Sequence, residues 1–218
     1  MVFAIIDFPH AVNTENLVYA IDVMLDQTAV VVAATGQELP QADVYLVAED
    51  LSFVPWAQDT HFVLWPLLRE RASAGKPVIA LGDAVAFFVA EGLLPGKILE
   101  NMGKLFVDKE ISVTSCGQDS VVNNQTELGE VLFLPLATEA GRWCLEESQA
   151  DLRLFGFLDE GEEVCGVNVP LESVAGACSA DRRFVGLLFN PERAVDDEMG
   201  NTDGLKIFWS VMHHNGSY

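Results

Sequence analysis

Gly75-Lys76-Pro77-Val78-Ile79-Ala80-Leu81-Gly82-Asp83-Ala84 is the most informative stretch of the chain. It reads as a buried strand that runs into a tight turn and then a helix. In many hydrolases this corner carries the nucleophile, held above a helix N-terminus. Here the corner residue is Gly82, which has no side chain.

Outward from that corner, strands and helices alternate. Val2 to Phe8 is a continuous apolar run, as expected of a strand covered on both faces. Leu17, Ala20, Ile21 and Met24 recur at helical spacing behind Asn13 and Thr14, either of which can cap the helix. Thr28 to Ala34 reads as a second buried strand and Val44 to Ala48 as a third. Helices are expected near Pro66 to Ala74 and Ala84 to Ala90. This alternation implies a parallel sheet with helices on both faces. After Pro95-Gly96 the spacing shortens: Leu105 to Val107, Ile111 to Thr114, Val131 to Leu134 and Leu152 to Phe157 suggest antiparallel additions. Val174 to Cys178 and Phe184 to Phe189 read as a late pair of strands. The closing helix carries Leu205, Phe208, Trp209 and Met212 as an expected core stripe after Asn201 or Thr202. Residues 1–218 are expected to form a single domain, as the absence of repeats and long linkers implies.

Composition narrows the partners. The net charge is −21, and no Lys or Arg precedes Arg69. Such a surface repels nucleic acid and anionic membrane. The longest apolar runs are too short to span a bilayer. Met1 to Asp7 lacks the basic start of a secretory signal. Cys116, Cys144, Cys165 and Cys178 are widely spaced with no CxxC pair, which argues against zinc and fits reduced thiols in a cytoplasmic protein. Neither a GxxxxGK[ST] loop nor a GxGxxG fingerprint occurs, and no cofactor or metal is expected. His213-His214 point apart on a helix.

Several blocks, in order, carry a resemblance. Asn190-Pro191-Glu192-Arg193-Ala194-Val195-Asp196, Gly200 and Asp203-Gly204-Leu205-Lys206-Ile207-Phe208 stand near the C-terminus. Phe8-Pro9, Gly92-Leu93-Leu94-Pro95-Gly96 with Asn101 and Phe106, Leu134-Pro135-Leu136-Ala137 before Gly141-Arg142, and Val174-Ala175-Gly176 precede them. Together they resemble the class I glutamine amidotransferases, in particular the glutaminase subunit of phosphoribosylformylglycinamidine synthase. The resemblance implies a three-layer, flavodoxin-like α/β fold with an antiparallel β extension. It also implies a role in purine biosynthesis beside a large, ATP-using synthase subunit.

The departures from that family fall on the chemistry. Glutamine hydrolysis needs a Cys thiolate, a His base and a Glu that orients the His. On alignment, the Cys position is Gly82 and the His position is Asn190; Glu192 alone remains. The family's Gly-Gly oxyanion pair is replaced by Glu49-Asp50, its His-Gly-Glu-Gly loop by Thr138-Glu139-Ala140-Gly141, and the Asn-Gly after the elbow by Asp83-Ala84. Carboxylates at an oxyanion site oppose the charge that builds in acyl transfer. The expectation is therefore a catalytically inactive relative kept as a binding or structural subunit. Its candidate pocket holds Glu49, Asp50, Asp83, Thr138 and Glu139. Asp83 reads as a helix cap, Glu49 and Asp50 as loop or solvated residues, and Glu192 as a buried acid hydrogen-bonded by Asn190. Two alternatives stand beside this reading. One is an active amidotransferase whose thiol comes from another cysteine. The other is a hydrolase that uses Asp83 with Glu49 or Asp50.

Overall fold

The computed structural model describes residues 1–49, 64–102, 104–117, 120–158 and 173–214. Their strands are β1 (Val2–Asp7), β2 (Thr28–Ala33), β3 (Val44–Val47), β4 (Val78–Leu81), β5 (Lys97–Leu99), β6 (Val107–Ser115), β7 (Val131–Thr138), β8 (Arg142–Cys144), β9 (Arg153–Phe157), β10 (Val174–Cys178) and β11 (Phe184–Leu187). The α-helices are α1 (Thr14–Val18), α2 (Trp65–Ser73), α3 (Ala84–Ala90) and α4 (Gly204–His213), and a π-helical turn, Tyr19–Met24, continues α1.

One sheet contains all these strands, in the order β2-β1-β3-β4-β11-β10-β9-β6-β7, with β5 and β8 beside this path. From β2 to β11 the pairing is parallel. From β11 to β7 it is antiparallel. The expected α/β core with an antiparallel extension is present. The late pair, β10 and β11, joins the two halves: β11 runs parallel to β4 on one side and antiparallel to β10 on the other. The all-apolar strands β3, β4, β10 and β11 are buried along their length. Trp65 of α2 packs on Phe87 and Phe88 of α3, and Phe87 meets Phe8 edge-on, which ties the elbow helix to the core.

Three expectations change. β2 is not a buried strand but the edge of the sheet: Thr28, Val31 and Ala33 are exposed, and Ala29, Val30 and Val32 are half-buried. A Val-rich run marks a strand without saying how many neighbours it has. Leu105 to Val107 is not a separate strand; the single long strand β6 begins at Val107. On α4, Trp209 is 43% exposed. The helix instead turns Ile207, Phe208 and Val211 into the core.

The Asp203-Gly204 helix start has a steric cause. A Cβ on Gly204 would stand 2.0 Å from the Pro191 carbonyl oxygen and 2.7 Å from that of Ala194. The Gly204 N–H donates to that Ala194 oxygen at 2.8 Å. Both obstacles are backbone, so the clash has no cheap relief. Gly204→Ala is expected to lower stability by about 1–3 kcal/mol. Urea unfolding would measure this, and an unchanged midpoint would contradict the packing described.

Candidate functional site

The carboxyl ends of four parallel strands meet at one place, where open α/β sheets form their ligand crevice. β4 ends at the Gly82 elbow. Its neighbour β3 pairs Val47 with Ala80, which carries Glu49 alongside residue 82. On the other side Leu187 pairs with Leu81, and the chain leaving β11 brings Asn190 and then Glu192 over the same end. β1 delivers Asn13 at the start of α1.

Gly82 keeps the backbone of a nucleophile elbow, with φ +55°. This left-handed conformation favours glycine. The space above it is filled. A Cβ on residue 82 would lie 2.5 Å from both Cδ and Oε1 of Glu49. The carboxyl group of Glu49 therefore occupies the place where a side chain on residue 82 would begin.

That carboxyl belongs to a buried chain of hydrogen bonds. Asn190 Nδ2 donates to Glu49 Oε2 at 2.8 Å and to Glu192 Oε1 at 3.3 Å. Asn13 Nδ2 donates to the same Glu192 oxygen at 3.0 Å, while Asn13 Oδ1 accepts from the Glu49 backbone N–H at 2.9 Å. Two amides thus bridge two acids. Glu49, Asn190, Glu192 and Asn13 are each at most 2% exposed. Glu49 Oε1 and Glu192 Oε2 make no hydrogen bond of ordinary geometry among the described residues.

Such burial favours neutral acids. Desolvation, with the nearby charges of Asp83 and Glu192, pushes Glu49 up to about 8, against the pull of the Asn190 amide. Desolvation raises Glu192 to about 7, opposed by the hydrogen bonds from Asn13 and Asn190. Asp83 rises to about 6 through burial, opposed by the Thr138 hydroxyl that donates to Oδ1. Burial thus favours the protonated form of Glu49 at the elbow, and a protonated acid is a weak nucleophile and a poor base.

The structure brings Glu49, Asp83, Asn190, Glu192 and Thr138 to the elbow region and leaves Glu139 exposed. Asp50 lies outside the described residues. Two expectations are corrected here. Glu49 is not in solvent, because the turn after β3 directs it against a residue without a side chain. Asp83 does occupy the N-cap position of α3, but its side chain makes no cap hydrogen bond and is drawn to Thr138 instead. Asn13 was legible only as a cap, and its side chain also makes no cap bond. Nothing local in the sequence signals its bridging role, since Glu49 and Glu192 reach it only through the sheet. Among the described residues no disulfide joins Cys116, Cys144 and Cys178; Cys144 and Cys178 end β8 and β10, Cys116 follows β6, and burial pushes Cys178 up to about 11. Cys165 lies outside the described residues.

The whole chain was compared with known proteins. No family model matches it. It is 28% identical over 225 residues to the phosphoribosylformylglycinamidine synthase subunit PurQ of Aquifex aeolicus (strain VF5), across 97% of this chain and 99% of that protein. The chain is a homologue of the PurQ glutaminase subunit. A structure of PurLQS from Thermotoga maritima superposes with a TM-score of 0.84 at 21% identity, over 97% of each chain. A glutamine amidotransferase from Thermotoga maritima gives a TM-score of 0.58 at 11% identity, over 96% of this chain and 89% of that one. The fold is that of the class I glutamine amidotransferases. Within the PurQ framework, Glu49 stands over the elbow, Asn190 follows β11, and Glu192 accepts from both amides. Among the described residues, no helix is long and apolar enough to cross a membrane.

Proposed function

We propose that this PurQ homologue is inactive as a glutaminase and serves as a binding or structural subunit of a large synthase that takes ammonia directly or from another source. One observation carries the reading: the Glu49 carboxyl lies where the side chain of residue 82 would begin. Gly82 supplies no nucleophile, and the added acid leaves no room for one. Asn190 supplies no base. Loss of one member of a catalytic triad typically removes about a million-fold in rate, and further losses add little.

The partner follows from the resemblance to PurQ. The acidic surface disfavours nucleic acid and anionic lipid as partners, because both need cationic contacts. The reading that recruits another thiol has less support. Cys178 is buried and Cys116 half-buried, and burial raises the pKa of both, the reverse of an activated nucleophile. The hydrolase reading has one observation in its favour, since Glu49 does point at the elbow. Its pKa of about 8 counts against it, because a carboxylate nucleophile must be ionised.

Light-scattering chromatography of this chain mixed with the large synthase subunit of the same organism tests the proposal. A stable complex is expected with or without glutamine. Two separate peaks under every condition, nucleotide included, would overturn the subunit role.

A further inference from the structure

The geometry of β2 points to a second interaction surface, independent of the elbow: we propose that its open edge docks an extended strand of a partner protein, one that alternates apolar and basic residues.

β2 ends the sheet. Its Thr28 N–H donates to the Met1 carbonyl at 3.1 Å, and the Ala34 N–H just beyond it donates to the Asp7 carbonyl at 2.8 Å. In a parallel pair, alternate residues turn both backbone groups to the same neighbour. Thr28, Val30 and Val32 therefore face β1, while Ala29, Val31 and Ala33 turn outward. Two outward groups are occupied: the Ala29 N–H donates to Asp22 Oδ1 at 2.7 Å, and the Ala33 carbonyl accepts from the Gly36 N–H at 2.8 Å. The Ala29 carbonyl, both backbone groups of Val31 and the Ala33 N–H have no partner among the described residues. They form a ladder site about three residues long.

Natural edges are normally blunted by Lys, Pro, bulges or a covering helix. β2 is Thr-Ala-Val-Val-Val-Ala, with no charge and no proline. No helix lies between β2 and β3; residues 34–43 are turns and irregular chain. Val31 is 47% exposed.

Charge selects the occupant. Asp22 touches this edge, and Asp26 lies two residues before it. No Lys or Arg occurs in the sequence before Arg69. Lys76 and Arg71 reach Asp43 and Leu39 in the connection before β3, and they are paired with Asp43 and Glu70. A second copy would bring the same acids against one another, and like charges across an interface disfavour pairing. A strand with basic residues on alternate positions gains main-chain hydrogen bonds and opposite charge together.

The probes are a blocked heptapeptide of alternating Lys and Val and its Glu-Val counterpart, titrated calorimetrically into the full chain. The Lys-Val peptide is expected to bind and to slow hydrogen exchange at the Val31 and Ala33 amides. Val31→Pro removes an outward N–H that the β1 ladder does not use, so it is expected to weaken binding at least tenfold. Ala33→Pro gives a second variant of the same kind, and the exchange readout on the native chain needs no variant. Equal binding by both variants, no protection at Val31 and Ala33, or tighter binding of the Glu-Val peptide would overturn the proposal. Self-association of the chain with those amides protected would overturn it in favour of a second copy.

Discussion

Gly82→Cys is expected to lower stability by about 2–5 kcal/mol and to restore no glutamine hydrolysis. Two costs add. A side chain at φ +55° is strained by roughly 1–2 kcal/mol. The new Cβ would also meet the Glu49 carboxyl at 2.5 Å. Overpacking of this kind costs about 1–3 kcal/mol. To relieve it, Glu49 must leave Asn190 and lose a buried hydrogen bond. Even then the thiol has no His to deprotonate it. The steric part is separable: Glu49→Gly combined with Gly82→Cys should be more stable than the sum of the two single changes predicts. Urea unfolding of the four proteins in this double-mutant cycle reads the coupling. Strict additivity would show that Glu49 does not occupy the elbow.

The second large effect is a fall in stability as pH rises from about 4.5 to about 8. Glu49 and Glu192 have folded-state pKa values raised above those of the unfolded chain. Between the two values the folded protein binds more protons than the unfolded one. Their contribution to stability is therefore greatest below about 4.5, declines as each folded-state acid approaches its own pKa, and levels off above it. Each group contributes a slope of at most about 1.4 kcal/mol per pH unit. Glu49→Gln removes one charge that must otherwise be buried. It should leave stability near pH 4.5 almost unchanged and raise it by about 2–4 kcal/mol at pH 8.5. Denaturant midpoints of the native chain and this variant, followed across that range, check both the sign and the window. A variant that tracks the native chain at every pH would place the Glu49 carboxyl in water.

The framework of the site was legible because local pattern and global fold agree there. An apolar tetrad, a glycine and an apolar helix are consistent with a strand–elbow–helix unit at every level, and Gly82 has the positive φ that its identity suggests. Asn190 and Glu192 were legible as a pair because they lie two residues apart, and the Asn190 amide does donate to Glu192. Glu49 was misread for the opposite reason. Its surroundings are Gly82, Asn190 and Asn13, all distant in sequence, and no periodicity marks an acid that fills a neighbour's missing side chain. The same limit explains β2. A run of valines satisfies a central strand and an edge strand equally well, and only the connection to β3, which lacks a helix, leaves this one uncovered. Trp209 shows the ambiguity of a helical stripe, since Ile207 and Val211 define an overlapping face that the packing prefers.

The proposed function requires that the Gly82 elbow hydrolyse no glutamine. The most direct measurement is ammonia release from glutamine by the purified chain in complex with the large synthase subunit, with synthase turnover on added ammonium followed in parallel. Turnover with ammonium is expected, with no glutamine-dependent ammonia above background. Ammonia release that saturates with glutamine would contradict the proposed function.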